Sequence, residues 1–438
     1  MRLLKILMIL LLSQIGSVAH AQGVIRDAEI EYALRELARP VFSAAGLSTS
    51  RMNIIVVNDD RMNAFVADAN HIFINSGLIR RLDTPEELQA VIAHEVAHIT
   101  NGHLTRRAVN ARSARSAAGL GVLLSAAVAA SGNPDAALGI AAGSNSVAMR
   151  NLLAHTRGEE SAADQSAARY LARAGIDPVA QVHVQELFRG QEVLSSSRQD
   201  PYVRTHPTSS ERLRAARAFA AAYDVQEIDQ SESAYWYARA RGKLDAWQGN
   251  PSQTLRRLRN DAATDLVLMQ RAVAYLRTPD YDAALSNVNG LIALRPDDPY
   301  AHELKGQILF ESRNYAAAAQ SYTRAVEILP REALILSGLG KALLAQDTSS
   351  KTREALEVFE TAYSIDPRQP NLLRDMAVAY ARLENNGMAS LMTAERYALI
   401  GQMENAALHA GRASDQLPRG SVGWNRAQDV LVAAERAN

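Results

Sequence analysis

The stretch Asp83-Thr84-Pro85-Glu86-Glu87-Leu88-Gln89-Ala90-Val91-Ile92-Ala93-His94-Glu95-Val96-Ala97-His98-Ile99-Thr100-Asn101-Gly102 carries both a helix and its chemistry. Thr84 suits the N-cap, Pro85 the first helical position, and Glu87 closes a capping box. The pattern predicts a helix from Pro85 to about Asn101, ended by Gly102. Leu88, Val91, Ile92, Val96 and Ile99 surround the polar residues, so this helix should be buried. His94-Glu95-Val96-Ala97-His98 is an HExxH motif. Residues four apart share a helix face, so both imidazoles can reach one ion. Glu95 lies one residue round, close enough to take a proton from a water. Two surface histidines are the plainer alternative, but the apolar flanks argue against it, because a buried His pair is costly without partners.

A catalytic zinc takes three protein ligands and keeps a fourth position open. The residues from His98 to His103 do not give the HxxGxxH spacing of one known solution. The other solution is a carboxylate from a second helix. Thr156-Arg157-Gly158-Glu159-Glu160-Ser161-Ala162-Ala163-Asp164 offers one. Glu160 and Asp164 are four apart, and Ser161, Ala162 and Ala163 are small enough for close helix approach. Glu160 is assigned as third metal ligand and Asp164 as the acceptor that orients a ligand histidine. Glu159 is the rival ligand, pointing about 100° away from Glu160 on a helix.

The chain has 438 residues, enough for two or three domains. At 47% hydrophobic and 21% charged it is globular material, neither disordered nor fibrous. Lys+Arg and Asp+Glu both number 47, a balance that gives no support for a nucleic-acid partner or a polybasic membrane binder. Cysteine is absent, so any transition metal must be held by His and carboxylate. Arg2 and Lys5, the apolar run Ile6 to Leu12 and the small-x-small Ala19-His20-Ala21 read as a secretory signal peptide, residues 1–21, cleaved on export. A cysteine-free exported chain fits a bacterial periplasm.

Residues 22–225 read as one mixed domain, which holds the HExxH helix. Arg26 to Ala45 has helical spacing through Ile30, Leu34, Leu37 and Val41. Asn53 to Asn58 and His71 to Asn75 read as strands, with a turn at Asp68-Ala69-Asn70. Residues 230–438 read as helical repeats. Pro296 and Pro330 are 34 apart and follow matching positions, Ala284, Val288 and Leu291, then Ala318, Tyr322 and Ala325. Ala355, Phe359, Ala362 and Pro367 form a third register at spacing 37, attributed to a longer turn at Asp347 to Lys351. Tyr397, Ala406, Ala413 and Pro418 form a fourth. This resembles the tetratricopeptide repeat, with Gly306 and Gly340 at equivalent early positions. Tyr235 to Leu244 and Pro251 to Leu258 would start the stack, and Gly423 to Arg436 would cap it. Such units stack into an α-solenoid with a groove. The fold class is therefore α+β, mostly α: an HExxH domain with a small sheet, followed by an α-solenoid. Ala117 to Ala130 and Ala136 to Ala148 read as a helical hairpin whose arms are too short to span a bilayer. Packing on the catalytic domain is the expected role, with a peripheral membrane contact as the other option.

The HExxH motif followed by Thr-Arg-x-x-Glu-x-x-Ala-Asp ending at Asp164 resembles the HtpX/Ste-type zinc metallopeptidases. Asn63-Ala64-Phe65 and Gly77-Leu78 are similar to the strand region before the active helix in that family. The turn at Asp68-Ala69-Asn70 departs from the usual Pro-Gly-Gly. The signal and the repeats narrow the resemblance to the BepA-type periplasmic proteases. It implies an endopeptidase with one zinc ion per chain on His94, His98 and Glu160, and Glu95 as general base. It also implies unfolded or misassembled outer-membrane β-barrel proteins as substrates, and the barrel-assembly machinery as a partner through the repeat groove. Thr205-His206-Pro207 followed by Arg212 matches a further family pattern. There His206 is either a fourth metal ligand that keeps the enzyme latent or an oxyanion donor shared with Arg212. A second reading is a chaperone-like adaptor whose site rarely cuts.

Overall fold

The computed structural model describes residues 23–105, 156–195, 198–206, 209–226 and 228–437. The signal segment, the hairpin at 117–148 and Pro207 lie outside the described residues. Contacts divide the chain into two compact units, one of Met1–Ile25 with Ala38–Asp229, the other of Arg26–Leu37 with Gln230–Asn438. That Arg26–Leu37 joins the second unit is a feature that sequence order does not convey.

The first unit holds a four-stranded sheet in the order β1-β2-β4-β3. β1 (Val24–Ile25) runs antiparallel to β2 (Asn53–Val57), β2 parallel to β4 (His71–Asn75), and β3 (Ala64–Val66) antiparallel to β4. β2 and β4 are the β-branched runs read from the sequence; β1 and β3 are too short to announce themselves. Asn75 N donates to Asn63 O and Ala67 N to His71 O, so residues 63, 65 and 67 face β4. Pleat alternation then turns the backbone groups of Met62 and Ala64 to the outer edge. Gly77-Leu78 lies in a short helix, Ser76–Arg81, and not in a strand. A Cβ at Gly77 would fall 2.0 Å from the Asp60 carbonyl oxygen, so only glycine lets the chain pass there.

The active helix is Pro85–Thr100. Thr84 Oγ1 accepts from Glu87 N at 3.3 Å, and Glu87 Oε2 accepts from Asp83 N at 2.7 Å. The box thus closes one residue earlier than its usual form. Every residue from Leu88 to His98 is buried, and Ile99 is half-buried. Gly102 takes φ +68°, the left-handed stop. Thr156–Arg173 packs on this helix. Val179–Leu187, the short helix Pro201–Thr205 and Ser210–Ala222 complete the unit.

The second unit is a stack in which each helix packs on its sequence neighbours. First helices start at Asp265, Pro299 and Ala333, which reproduces the 34-residue period. The third register is longer because its second helix, Ser349–Ile365, has 17 residues where Tyr315–Ile328 has 14. The extra residues extend the helix and not the turn. A Cβ at Gly306 would meet the Tyr322 ring at 2.7 Å, and one at Gly340 the Phe359 ring at 2.4 Å. Glycine and aromatic are therefore a matched pair within each of these two repeats. Ile30 and Leu34, on the helix Ala28–Ala44, are fully buried. Arg239 and Lys243 are buried against Glu29, and Lys243 Nζ also reaches Asp27 at 2.9 Å.

Candidate metal centre

His94 and His98 leave the active helix on one face, as the four-residue spacing requires. Glu160 arrives from Thr156–Arg173, whose Ala163 and Ala167 are fully buried. His206 arrives as the cap of the helix Pro201–Thr205, with its N donating to Tyr202 O at 2.7 Å. One ligand atom from each of these four residues lies within 4.8 Å of the others, and all four residues are buried. His98 Nε2 is 3.1 Å from His94 Nε2 and 3.4 Å from Glu160 Oε1. Glu160 Oε2 is 3.2 Å from His94 Nε2 and 3.1 Å from His206 Nδ1.

The surrounding contacts decide which nitrogen faces inward. His94 Nδ1 lies 3.1 Å from Asp164 Oδ1, and His206 Nε2 lies 3.2 Å from Ala64 O. Each of those nitrogens donates to its oxygen, which leaves a lone pair on His94 Nε2 and on His206 Nδ1. His98 Nδ1 is 2.9 Å from His103 Nδ1. With His98 as donor there, its Nε2 also presents a lone pair. Three imidazole lone pairs and a carboxylate aimed at one buried point are the donor set of a divalent transition metal. The residues present therefore fit a metal ion.

The carboxylates are braced from behind. Arg212 Nε reaches Asp164 Oδ2 at 2.7 Å, Arg212 Nη2 reaches Asp164 Oδ1 at 2.8 Å, and Arg212 Nη1 reaches Glu160 Oε2 at 3.2 Å. Gln181 Nε2 adds a bond to Asp164 Oδ1 at 3.0 Å. Burial alone would raise the Asp164 carboxyl, but hydrogen bonds from His94 and Arg212 hold it below its ordinary value. Burial also opposes ionisation of Glu160, yet His206 and His94 keep it well below the usual range. Burial disfavours charge on His94, but Asp164 and Glu160 overcome this and push it up to about 10.

The structure places most of the residues read from the sequence around one point. His94, His98, Glu160 and His206 converge; Glu95 is fully buried beside them, 3.4 Å from His206 Nε2; Asp164 and Arg212 form the brace. Glu159 is buried but supplies no atom to the converging group. No sequence signal marks Gln181 or Tyr202, and His103 fits no ligand spacing; its contact with His98 depends on the turn at Gly102. Tyr202, whose ring lies 4.8 Å from the His206 ring, had no motif to mark it.

Among the described residues no helix is long and apolar enough to cross a membrane. Residues 25–220 match peptidase family M48, and residues 269–333 match the tetratricopeptide repeat. The chain is 26% identical over 405 residues to the β-barrel assembly-enhancing protease of Escherichia coli (strain K12), covering 91% of this chain and 82% of that protein. It is 25% identical over 421 residues to the protein of that name from Yersinia pestis, covering 95% and 85%. Over 102 residues it is 33% identical to protease HtpX of Vibrio cholerae serotype O1, covering 22% and 34%. Family match, relatives and a buried His/Glu group agree: over residues 25–220 the chain resembles the metalloproteases of peptidase family M48, and over residues 269–333 the tetratricopeptide repeat.

Proposed function

We propose that this chain is a periplasmic zinc endopeptidase that acts in quality control and assembly of outer-membrane β-barrel proteins. The observation that carries the chemistry is the convergence of His94, His98 and Glu160 with Glu95 buried beside them. Zinc held there would act as Lewis acid, bringing a water's pKa towards about 7 and polarising the scissile carbonyl. Glu95 then takes the proton of the attacking water and passes it to the leaving amine. Asp164 fixes the tautomer of His94, and Arg212 holds Asp164 and Glu160 in place. With Arg212 engaged by both carboxylates, the geometry favours His206 as a latch over an oxyanion pair with Arg212. A fourth protein ligand closes the position that substrate needs. An extended substrate can add to the outer edge of β3, pairing with the backbone groups of Met62 and Ala64.

The names of the relatives support barrel proteins as substrates, and the repeats support recruitment of the barrel-assembly machinery as a partner. The signal peptide read at residues 1–21 supports the periplasm. The buried latch also favours the second reading, an adaptor that seldom cuts, and both can hold in one molecule. Digestion of casein with and without a chelator tests the enzyme. His206→Ala should raise basal cleavage about tenfold or more; a fall in cleavage would assign His206 to the reaction itself.

A further inference from the structure

We infer that Asp200–His206 sits where substrate binds, and that Tyr202 fills a pocket which takes a large aromatic side chain next to the scissile bond. The inference rests on the protease reading and adds the substrate preference that reading lacks. Three kinds of contact carry it. His206 Nδ1 is among the converging metal-facing atoms, and its Nε2 donates to Ala64 O. Tyr202 N donates to Met62 O at 3.2 Å, and Met62 N donates to Asp200 Oδ1 at 3.3 Å. Met62 and Ala64 present the outward groups of the edge strand, the groups an extended peptide would use. One short segment therefore takes the metal site and the strand edge together.

The third contact is the side chain. Tyr202 is buried, stacked on Phe188 at 4.6 Å between ring centroids and tilted 35° against His206 at 4.8 Å. Its surroundings are Ala90 and Val91 of the active helix, with Val184, Gln185 and Phe188. His94 and Asp164 line the same space, so the pocket opens directly beside the reacting centre. With Tyr202 in it, only about 10 Å³ remains, the volume of one water. When the segment leaves, the vacated space is aromatic in size, walled by Ala90, Val91, Val184 and Phe188, with Gln181 and Arg212 also lining it beside His94 and Asp164. A substrate that pairs with Met62 and Ala64 places a side chain at this position. A phenylalanine, tyrosine or tryptophan restores the packing that Tyr202 gave up, and glycine or aspartate does not.

The test uses the full-length zinc-loaded His206→Ala protein and two probes of the metal, L-phenylalanine hydroxamate and glycine hydroxamate. Calorimetry should show the phenylalanine compound binding at least tenfold more tightly. Val184→Phe in the same background, which fills the pocket, should abolish that preference and leave glycine hydroxamate unchanged. Casein fragments cut by His206→Ala should show aromatic residues enriched severalfold on one side of the cleaved bonds. Equal binding of the two hydroxamates, or cleavage sites without aromatic enrichment, overturns the pocket assignment while leaving the protease reading intact. Preferential hydroxamate binding with no casein cleavage upholds the pocket and sinks the protease reading.

Discussion

Asp164→Asn keeps the shape of a buried side chain and removes one charge. The carboxylate now accepts from His94 Nδ1 at 3.1 Å, Gln181 Nε2 at 3.0 Å and Arg212 at 2.7 and 2.8 Å. An amide has one oxygen and one NH2 group. If the oxygen stays toward His94, the NH2 meets Arg212 Nε donor to donor. If it flips, the NH2 meets His94 and favours the tautomer whose Nε2 carries the proton and cannot bind metal. Either way a charge-assisted bond is lost, worth about 1.5–3 kcal/mol. Zinc affinity should therefore fall about 10- to 100-fold, as for other groups that orient a ligand histidine. Competition with a fluorescent zinc chelator at pH 7.5 measures it. An affinity within about threefold of wild type would refute the claim that Asp164 orients His94. The pairing also has a pH signature. Because the folded Asp164 pKa is depressed, its stability is present above the unfolded value of about 3.9 and is lost as pH falls through the folded value. Asp164→Asn should lack that acid-side loss.

Two further outcomes concern the repeat unit. Gly340→Ala places a methyl 2.4 Å from the Phe359 ring, so urea unfolding should show a loss of about 1–3 kcal/mol despite the better helix propensity of alanine; an unchanged midpoint would mean that the helix pair can spread freely. Burial pushes Glu303 up to about 8, with Asp27, Glu29 and Glu332 adding to it and Lys243 opposing. A raised folded pKa gives stability that is complete below about 4.5 and lost as pH rises through about 8. Glu303→Gln should therefore match wild type in thermal midpoint near pH 5 and exceed it at pH 9, at about 2–4 °C per kcal/mol; parallel curves would show that Glu303 ionises normally.

Local signals in the sequence reached most of the site because one helix and one carboxylate supply it. The capping box gave the start of the active helix, the i,i+4 rule its metal face, and the Glu160–Asp164 spacing the partner helix. The glycine–aromatic pairs Gly306/Tyr322 and Gly340/Phe359 were legible as small and bulky positions. What escaped depends on contacts far apart in the chain. β3 is three residues long and exists because β4 pairs with it. Arg26–Leu37 belongs with helices two hundred residues downstream through Glu29 and Asp27, which read locally as an ordinary charged first turn. Tyr202 reads as one more tyrosine until the fold stacks it on Phe188 and His206.

Charge balance separates coordination from mere attraction at this centre. With neutral imidazoles, the groups around the converging atoms are Glu95, Glu160, Asp164 and Arg212. Three carboxylates and one guanidinium leave two negative charges, which a divalent ion neutralises in a buried space where a residual charge is costly. Glu95→Gln and Glu160→Gln remove the same charge. Only the second removes an atom from the metal-facing set. If attraction governed binding, the two variants would lose zinc affinity equally. If coordination governs, Glu160→Gln should lose on the order of 10²-fold or more, because structural zinc sites bind with roughly 10–16 kcal/mol shared among four ligands. Glu95→Gln should lose under tenfold and still fail to cleave casein, since an amide cannot accept the water's proton. Chelator competition on both variants decides the matter: equal losses would remove Glu160 from the ligand set, and cleavage by zinc-loaded Glu95→Gln would remove Glu95 from the chemistry.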